Sequence, residues 1–199
     1  MHSLQDFMIS RVRVKIFELF FQNVEELYYV REISRKTKEE INAVRRELDR
    51  MLGYGLLKSE ERGNRLYYYL NTSYIFYGEL QGMVAKSTGL GKKFVKYKRK
   101  LGTVEYVMFS GNFVEGRRPQ QGDVDVLVIG DVVLSEVDVL IKEEEAKIGR
   151  EINYTVFPLE EFEFRKTRRD PFVMDILYGN NILVIGNAND FVERKAQGL

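Results

Sequence analysis

Two aspartates one residue apart are the side chains of this sequence best suited to chemistry. Asp123 and Asp125 open the run DVDVLVIG (123–130), whose apolar alternation is typical of a β-strand. Residues i and i+2 of a strand share one face about 7 Å apart, so the two carboxylates could grip one divalent ion or share two. Ahead of them, Gly111 and Gly116 bracket a turn whose backbone N–H groups could approach phosphate oxygens closely.

The amino-acid composition narrows the chemistry further. The chain of 199 residues has no Cys and a single His, His2, near its beginning. This excludes disulfides, thiol catalysis, zinc sites of Cys and His, and nucleophiles activated by His. A metal ion would need oxygen ligands, so Mg²⁺ or Mn²⁺ is expected as the cofactor.

Charge and hydropathy describe a soluble globular protein. The formal net charge is +1, with 44% hydrophobic and 31% charged residues. Such a charge argues against a protein that coats nucleic acid, but it allows a local basic face. No apolar stretch approaches the length of a bilayer span, and Arg11, Arg13 and Lys15 lie where a signal peptide needs apolar residues. We therefore expect a cytoplasmic protein without a membrane partner.

The first 85 residues or so predict helices and one hairpin. Apolar spacing predicts a helix over 4–22, and LYYV (27–30) is a β-prone piece that leads into a short helix, REISRK. Thr37 and Glu40 form a capping box, which predicts a helix from Lys38 to about residue 52. In the run LLKSEERGNRLYYYLN, the residues alternate in character on either side of RGN, which is the pattern of a β-hairpin. The expected buried positions are Phe7, Val12, Ile16, Leu19 and Phe20 in the first helix, and Ile41, Val44, Leu48, Met51 and Leu52 in the third.

Basic and amide side chains fall on the opposite side of this third helix. At 100° per residue they project away from the apolar stripe, where they could reach base edges and phosphates in a major groove. Solvated surface charge is the competing interpretation, because Glu39, Glu47, Glu60 and Glu61 interleave with them. The candidate DNA-binding residues are Lys38, Asn42, Arg45 and Arg46 on the helix, with Arg62 and Arg65 beside the hairpin tip.

The passage LDRMLGYGLLKSEERGNRLYYYLN closely resembles the recognition-helix-to-wing segment of ArsR/MarR-like transcriptional regulators. This resemblance implies a winged helix-turn-helix domain over residues 1–87 that binds duplex DNA. It also implies a homodimer, whose contact would be the helix predicted from Tyr74 to Ala85. The basic run KKFVKYKRK (92–100) follows, and its pattern suits a solvated helix face as well as phosphate contact.

From Leu101 onward the pattern becomes α/β. Strands are predicted over 103–109, 123–130 and 151–157, and Ser135 with Asp138 predicts a capped helix after the second strand. Helical LEEFEFRK and PFVMDILYG then precede a short strand, ILVIG. The expected fold class is α+β: an N-terminal winged helix-turn-helix domain plus a C-terminal mixed sheet with flanking helices.

Residues 103–187 resemble the minimal nucleotidyltransferases of the DNA polymerase beta superfamily, through a strand, a glycine turn and then Asp-x-Asp. The resemblance implies a nucleotidyltransferase-like domain over 88–199. In it Gly111, Asn112 and Gly116 would bind a nucleoside triphosphate, and Asp123 and Asp125 would hold Mg²⁺ and be catalytic if the domain is active.

Two positions depart from that pattern. Asn112 occupies the position of the family's serine, and Asn153 that of its third carboxylate, for which Glu151 is a possible substitute. Three hypotheses follow. The chain is a DNA-binding regulator with a degenerate or nucleotide-sensing second domain, or an active nucleotidyltransferase that moves a nucleoside monophosphate onto a protein or a small hydroxyl acceptor. The third is a pair of domains that have lost both functions.

Overall fold

The computed structural model describes residues 10–117 and 122–192. It has α+β architecture, with helices and two sheets, and it divides into two compact units, Met1–Ser87 and Thr88–Leu199. Among the described residues, no helix combines the length and the apolar character needed to cross a bilayer.

The first unit consists of four described helices and a small antiparallel sheet. The strand order in the sheet is β1-β3-β2, and β2 and β3 form the hairpin, in which Leu57 pairs with Leu70 and Arg62 with Arg65. The elements in chain order are α1 (Arg11–Phe21), β1 (Tyr28–Tyr29), α2 (Val30–Thr37), α3 (Ile41–Gly53), β2 (Leu57–Arg62), β3 (Arg65–Leu70) and α4 (Tyr77–Ser87).

The core of this unit agrees in large part with the apolar periodicity of the sequence. Ile16 and Phe20 of α1 are buried, while Val12 and Leu19 are half-buried and Phe7 lies outside the described residues. In α3 the fully buried apolar residues are Val44, Leu48 and Met51, whereas Ile41 and Leu52 are half-buried.

The predicted capping box at Thr37 is wrong. Thr37 is the last residue of α2, and its hydroxyl donates to the Ile33 carbonyl at 2.7 Å. Lys38 then adopts a left-handed conformation (φ 56°), so it ends α2 and lies ahead of α3. The true cap is Glu40, whose carboxylate accepts from the backbone N–H groups of Asn42 and Ala43, both at 2.9 Å. The hydrogen bond from the Asn42 N–H, and after it the one from the Ala43 N–H, lowers the pKa of Glu40 below its ordinary value.

The second unit is a mixed four-stranded sheet with helices on both faces. The strand order is β6-β5-β4-β7; β4 is antiparallel to β5 and β7, and β5 is parallel to β6. Its elements are α5 (Gly89–Tyr97), a 3₁₀ turn (Lys98–Lys100), β4 (Gly102–Ser110), α6 (Gly111–Val114), β5 (Val126–Val132), α7 (Leu134–Ile148), β6 (Tyr154–Phe157), α8 (Leu159–Thr167), α9 (Pro171–Tyr178), β7 (Asn181–Ile185) and α10 (Ala188–Val192).

Both faces of this sheet are buried. Val126 and Val128 of β5 belong to one core cluster, and Leu127 and Ile129 belong to the other. The alternation of DVDVLVIG therefore does not mark one exposed face, and Asp123 and Asp125 precede the strand instead of belonging to it. A strand buried on both sides gains from apolar residues at every position, which is why the run 126–129 is continuous.

Two further boundaries differ from the sequence predictions. Helix α7 begins at Leu134 with Val133 as its cap, and Val133 makes no side-chain capping hydrogen bond, so the Ser135–Asp138 capping box is wrong. Asp138 instead accepts from Lys142 at 2.6 Å, one turn later in the helix. Residues 151–153 precede β6, so Glu151 and Asn153 are outside the strand.

Candidate nucleic-acid interface and candidate ligand cavity

A sharp turn joins α2 to α3 and is tied to α1. The Ser34 hydroxyl donates to the Glu39 carbonyl at 2.7 Å across the turn. The Lys15 ammonium of α1 donates to the Thr37 carbonyl at 2.8 Å and to the Glu39 carboxylate at 2.5 Å. These bonds leave α2 and α3 little freedom to rotate against each other, so the direction of α3 is set by its neighbours.

The outer face of α3 presents the predicted amide and basic side chains. Asn42, Arg45 and Arg46 are exposed, and within the described part of the chain neither arginine has an ion-pair partner. Lys38 is also exposed but lies in the preceding turn. The structure thus places three of the four predicted residues on one helical face and the fourth before the helix.

Glu47 faces inward, between α3 and α1. The side chain is 5% exposed, and its carboxylate accepts from the Ser10 hydroxyl and Arg13 Nε, both at 2.9 Å, and from Arg50 at 3.1 Å. Burial raises the pKa of Glu47, but the hydrogen bonds from Arg13 and Ser10 and the nearby positive charges outweigh burial and leave the pKa below its ordinary value. The sequence gives no local sign of this role, because the partners at positions 10 and 13 lie in another helix.

Two of the four acids that interleave with the basic residues, Glu39 and Glu47, are engaged away from the outer face of α3. Glu47 is inside the unit, Glu39 pairs with Lys15 and Arg11, and Glu60 pairs with Arg62. Of these acids, the first two do not offset the charge of the α3 face.

The hairpin tip carries the two remaining predicted residues. Gly63 has φ 62° in the two-residue turn, a conformation that favours glycine. Arg62 and Arg65 are exposed on either side of it, and the Arg65 guanidinium lies 4.7 Å from the centre of the Tyr29 ring. The guanidinium of Arg65 thus packs against the ring while the residue stays exposed.

The basic run 92–100 belongs to α5 and the following turn, in the second unit. Lys93 pairs with Glu143 and Glu144 at 3.1 and 3.3 Å, and Lys96 lies 4.8 Å from the Tyr97 ring. Lys92, Lys98 and Arg99 are exposed. Lys93 is thus engaged in ion pairs, and the exposed residues of the run remain compatible with a solvated face or with phosphate contact.

A cavity of about 340 Å³ lies in the second unit, where the end of β4, α6, residues 122–124, α9 and the start of β7 meet. Its described lining includes two carboxylates, those of Asp123 and Asp175. Its other lining residues include three amides, Asn112, Asn180 and Asn181, and four apolar side chains, Met108, Val124, Phe172 and Ile176.

The two predicted aspartates have different surroundings. Asp123 lines the cavity and accepts from Asn112 Nδ2 at 3.4 Å. Asp125 does not line it and is only 1% exposed. Its Oδ2 accepts from Arg150 at 3.0 Å and from the Asn153 backbone N–H at 3.1 Å, while its Oδ1 has no hydrogen-bond partner among the described residues. The prediction that both carboxylates sit side by side at a cleft is wrong, because Asp125 is buried in its pair with Arg150 and only Asp123 lines the cavity.

The two aspartates do not form a shared donor set for the predicted Mg²⁺ or Mn²⁺. The carboxylate of Asp125 is neutralised by Arg150, and no group of three His, Cys, Asp or Glu side chains suited to a metal occurs in residues 10–117 and 122–192. Asn153 is exposed and uses its backbone carbonyl to accept from the N–H groups of Asp125 and Val126. Glu151 is exposed, and its backbone carbonyl accepts from Arg150 at 3.0 Å.

The predicted nucleotide-binding residues are only partly brought together. Gly111 and Asn112 line the cavity, and Gly116 is not among its lining residues. The Gly111 N–H donates to the Asn180 carbonyl at 2.8 Å, and a Cβ at Gly111 would lie 2.3 Å from Asn180 Nδ2, so the glycine allows a close approach of α6 to β7. Sequence reasoning missed Asp175, Asn180 and Arg150, because their contacts come from elements distant in the chain.

No protein-family model and no curated protein matches this chain. Among solved structures, reduced HlyU from Vibrio cholerae is 18% identical with a TM-score of 0.32, covering 41% of this chain and 77% of that chain. Human N-acetylserotonin methyltransferase, in complex with SAM, is 16% identical with a TM-score of 0.30, covering 49% of this chain and 32% of that chain. Likenesses of this size assign neither a family nor an activity.

Proposed function

We propose that this chain is a regulator that binds duplex DNA through its first unit, with α3 in the major groove and the β2–β3 hairpin against the neighbouring backbone. The observation that supports this most is the outer face of α3. It presents Asn42, Arg45 and Arg46 without described ion-pair partners, while Glu39 and Glu47 are engaged with α1.

The chemistry of that face suits base edges and phosphates. A guanidinium can donate two hydrogen bonds to guanine O6 and N7, and an asparagine amide can pair with adenine N6 and N7. In this proposal Arg65 at the hairpin tip and Lys38 in the turn contact phosphates, and Arg62 does so by exchanging its ion pair with Glu60 for a phosphate. In this proposal the turn bonds of Lys15 and Ser34 keep α3 in a fixed direction, which a helix needs in order to enter a groove with several side chains at once.

We extend the proposal to a homodimer, since two copies would present two α3 helices to successive major grooves. Most apolar residues of the helix predicted as the dimer contact pack inside their own unit: Tyr77, Leu80, Met83 and Val84 all contact its core. The residues left for a partner are Ile75 and Phe76, which are 79% and 54% exposed just before α4.

The direct test removes the two arginines of α3. Binding of the full chain to a labelled duplex is measured by fluorescence polarisation at several salt concentrations. Arg45→Ala/Arg46→Ala should weaken binding by at least about tenfold. It should also reduce the magnitude of the slope of log affinity against log salt concentration by about 1–2. The matched control, Lys142→Ala/Arg168→Ala, removes one positive charge from α7 and one from the residue that follows α8, both in the second unit. An unchanged affinity in the α3 variant, or an equal loss in the control, would refute the assignment.

A further inference from the structure

The cavity of the second unit has no role in the proposed DNA contact. We propose that it binds a small organic cation, a protonated amine or amidinium attached to a compact aromatic or apolar body, without a metal ion. The inference rests on its charges, on its hydrogen-bonding groups and on its apolar wall.

The described residues that line the cavity carry a net negative charge. Asp175 of α9 lines it, is exposed, and forms neither an ion pair nor a side-chain hydrogen bond within the described ranges. Asp123 adds a second carboxylate, which also accepts from Asn112. None of the described lining residues is Lys, Arg or His. A cationic group would therefore gain a charge-assisted hydrogen bond to Asp175, and an anionic group would meet repulsion.

The remaining polar groups offer mainly acceptors. Asn181 Nδ2 already donates to the Ile176 carbonyl at 2.6 Å and to the Gly179 carbonyl at 3.1 Å, so its Oδ1 is the atom available to a ligand. The Asn112 amide nitrogen is likewise directed at Asp123, which leaves the Asn112 carbonyl oxygen. A cavity rich in acceptors selects a ligand rich in N–H donors.

One wall of the cavity is apolar and firmly packed. Phe172 and Ile176 come from α9, one turn apart, and Met108 comes from the buried face of β4. The Phe172 ring is held edge-on against Phe157, with ring centres 6.0 Å apart and planes at 90°. An aromatic or aliphatic body can pack on this wall while its cationic end reaches Asp175, an arrangement typical of small-molecule sites.

The same features disfavour a nucleoside triphosphate. Its phosphates would face Asp123 and Asp175 and would need metal ions, yet Asp125 lies outside the cavity in its pair with Arg150. The cavity therefore departs from the nucleotide site that the sequence resemblance implies, although Gly111 and Asn112 belong to it.

The experiment titrates the full chain with benzamidinium and with phenethylammonium by calorimetry, using neutral benzamide as the isosteric control. At least one cation should bind saturably, and benzamide should not. Asp175→Asn should weaken the binding of that cation by about tenfold, since a hydrogen bond between charged groups is lost. Asp131→Asn is the matched control, because Asp131 is exposed at the opposite end of β5 and does not line the cavity.

Thermal unfolding of both variants should match the parent, because each side chain is exposed and without a described partner. Three outcomes would overturn the proposal: equal binding of benzamide, equal weakening by Asp131→Asn, or no saturable binding of either cation. The DNA-binding assay is independent of all of these outcomes.

Discussion

At the scale of single residues, the pair of Asp125 and Arg150 determines what the Asp-x-Asp segment can do. Asp125 is buried, and Arg150 lies both beside its carboxylate and 5.3 Å from the centre of the Phe113 ring. The aspartate is thus held by a cation and a backbone N–H group within the second unit. These contacts give Asp125 a structural role in the second unit.

Asp125→Asn should therefore destabilise the protein. The change leaves the Arg150 guanidinium, 22% exposed at its side chain, without its counter-charge, and breaking such a pair from one side costs about 3–5 kcal/mol when fully buried. Because Arg150 is partly solvated, we expect about 2–3 kcal/mol, measured by urea unfolding. Asp131→Asn is again the control and should change the free energy by less than about 0.5 kcal/mol. A variant as stable as the parent, or more stable, would contradict the stabilising role given to the Asp125 carboxylate.

The sequence could not reveal this pair. Its members are separated by the whole of β5 and α7, and neither apolar periodicity nor a local motif connects positions 125 and 150. The same holds for Asp175, which reaches the cavity only because α9 and β7 fold back beside α6. What the spacing of glycines and aspartates did predict was the meeting of Gly111, Asn112 and Asp123, since these lie at the adjacent ends of two antiparallel neighbours.

At the scale of elements, the junction of α1 and α3 depends on Glu47. The folded-state pKa of this carboxyl lies below the ordinary value of 4.5, so its stabilising effect is present above pH 4.5 and is lost as the pH falls through the folded-state pKa. Glu47→Gln should lower the free energy of unfolding by about 1–3 kcal/mol at pH 7, and the difference from the parent should shrink below pH 4.5.

Chemical unfolding monitored by circular dichroism between pH 7 and pH 3 would measure this difference. Glu79→Gln is the control, because Glu79 is exposed on α4. A difference that stays constant with pH would contradict the role given to the ionised carboxylate of Glu47.

Local patterns predicted some elements well and others poorly. The RGN turn and its flanking alternation predicted the hairpin, because a two-residue turn with glycine is set by local geometry. Both predicted capping boxes failed, since a Thr or Ser hydroxyl can bond within the preceding helix or remain unused. Thr37 does the former, and its bond to Ile33 moves the start of α3 to Ile41.

At the scale of the whole molecule, the proposed homodimer makes a separate prediction. If Ile75 and Phe76 form the contact, Ile75→Ser/Phe76→Ser should shift the chain toward monomer by at least about tenfold in dissociation constant, because two exposed apolar side chains would no longer be buried in the partner. Sedimentation velocity over a concentration series would measure it. Val133→Ser/Leu134→Ser, another exposed adjacent apolar pair, is the control. A monomeric parent chain at micromolar concentration would refute the dimer.

The central claim is that the first unit makes the DNA contact, and its most direct measurement is a map of the contact surface on the full chain. Backbone amide chemical shifts of the labelled protein should be recorded with and without a short duplex at low salt. The account predicts that the largest changes fall in the α2–α3 turn, on Asn42, Arg45 and Arg46, and at the hairpin tip around Gly63. Changes confined to the basic run 92–100 and the rest of the second unit, with α3 and the hairpin unaffected, would contradict it.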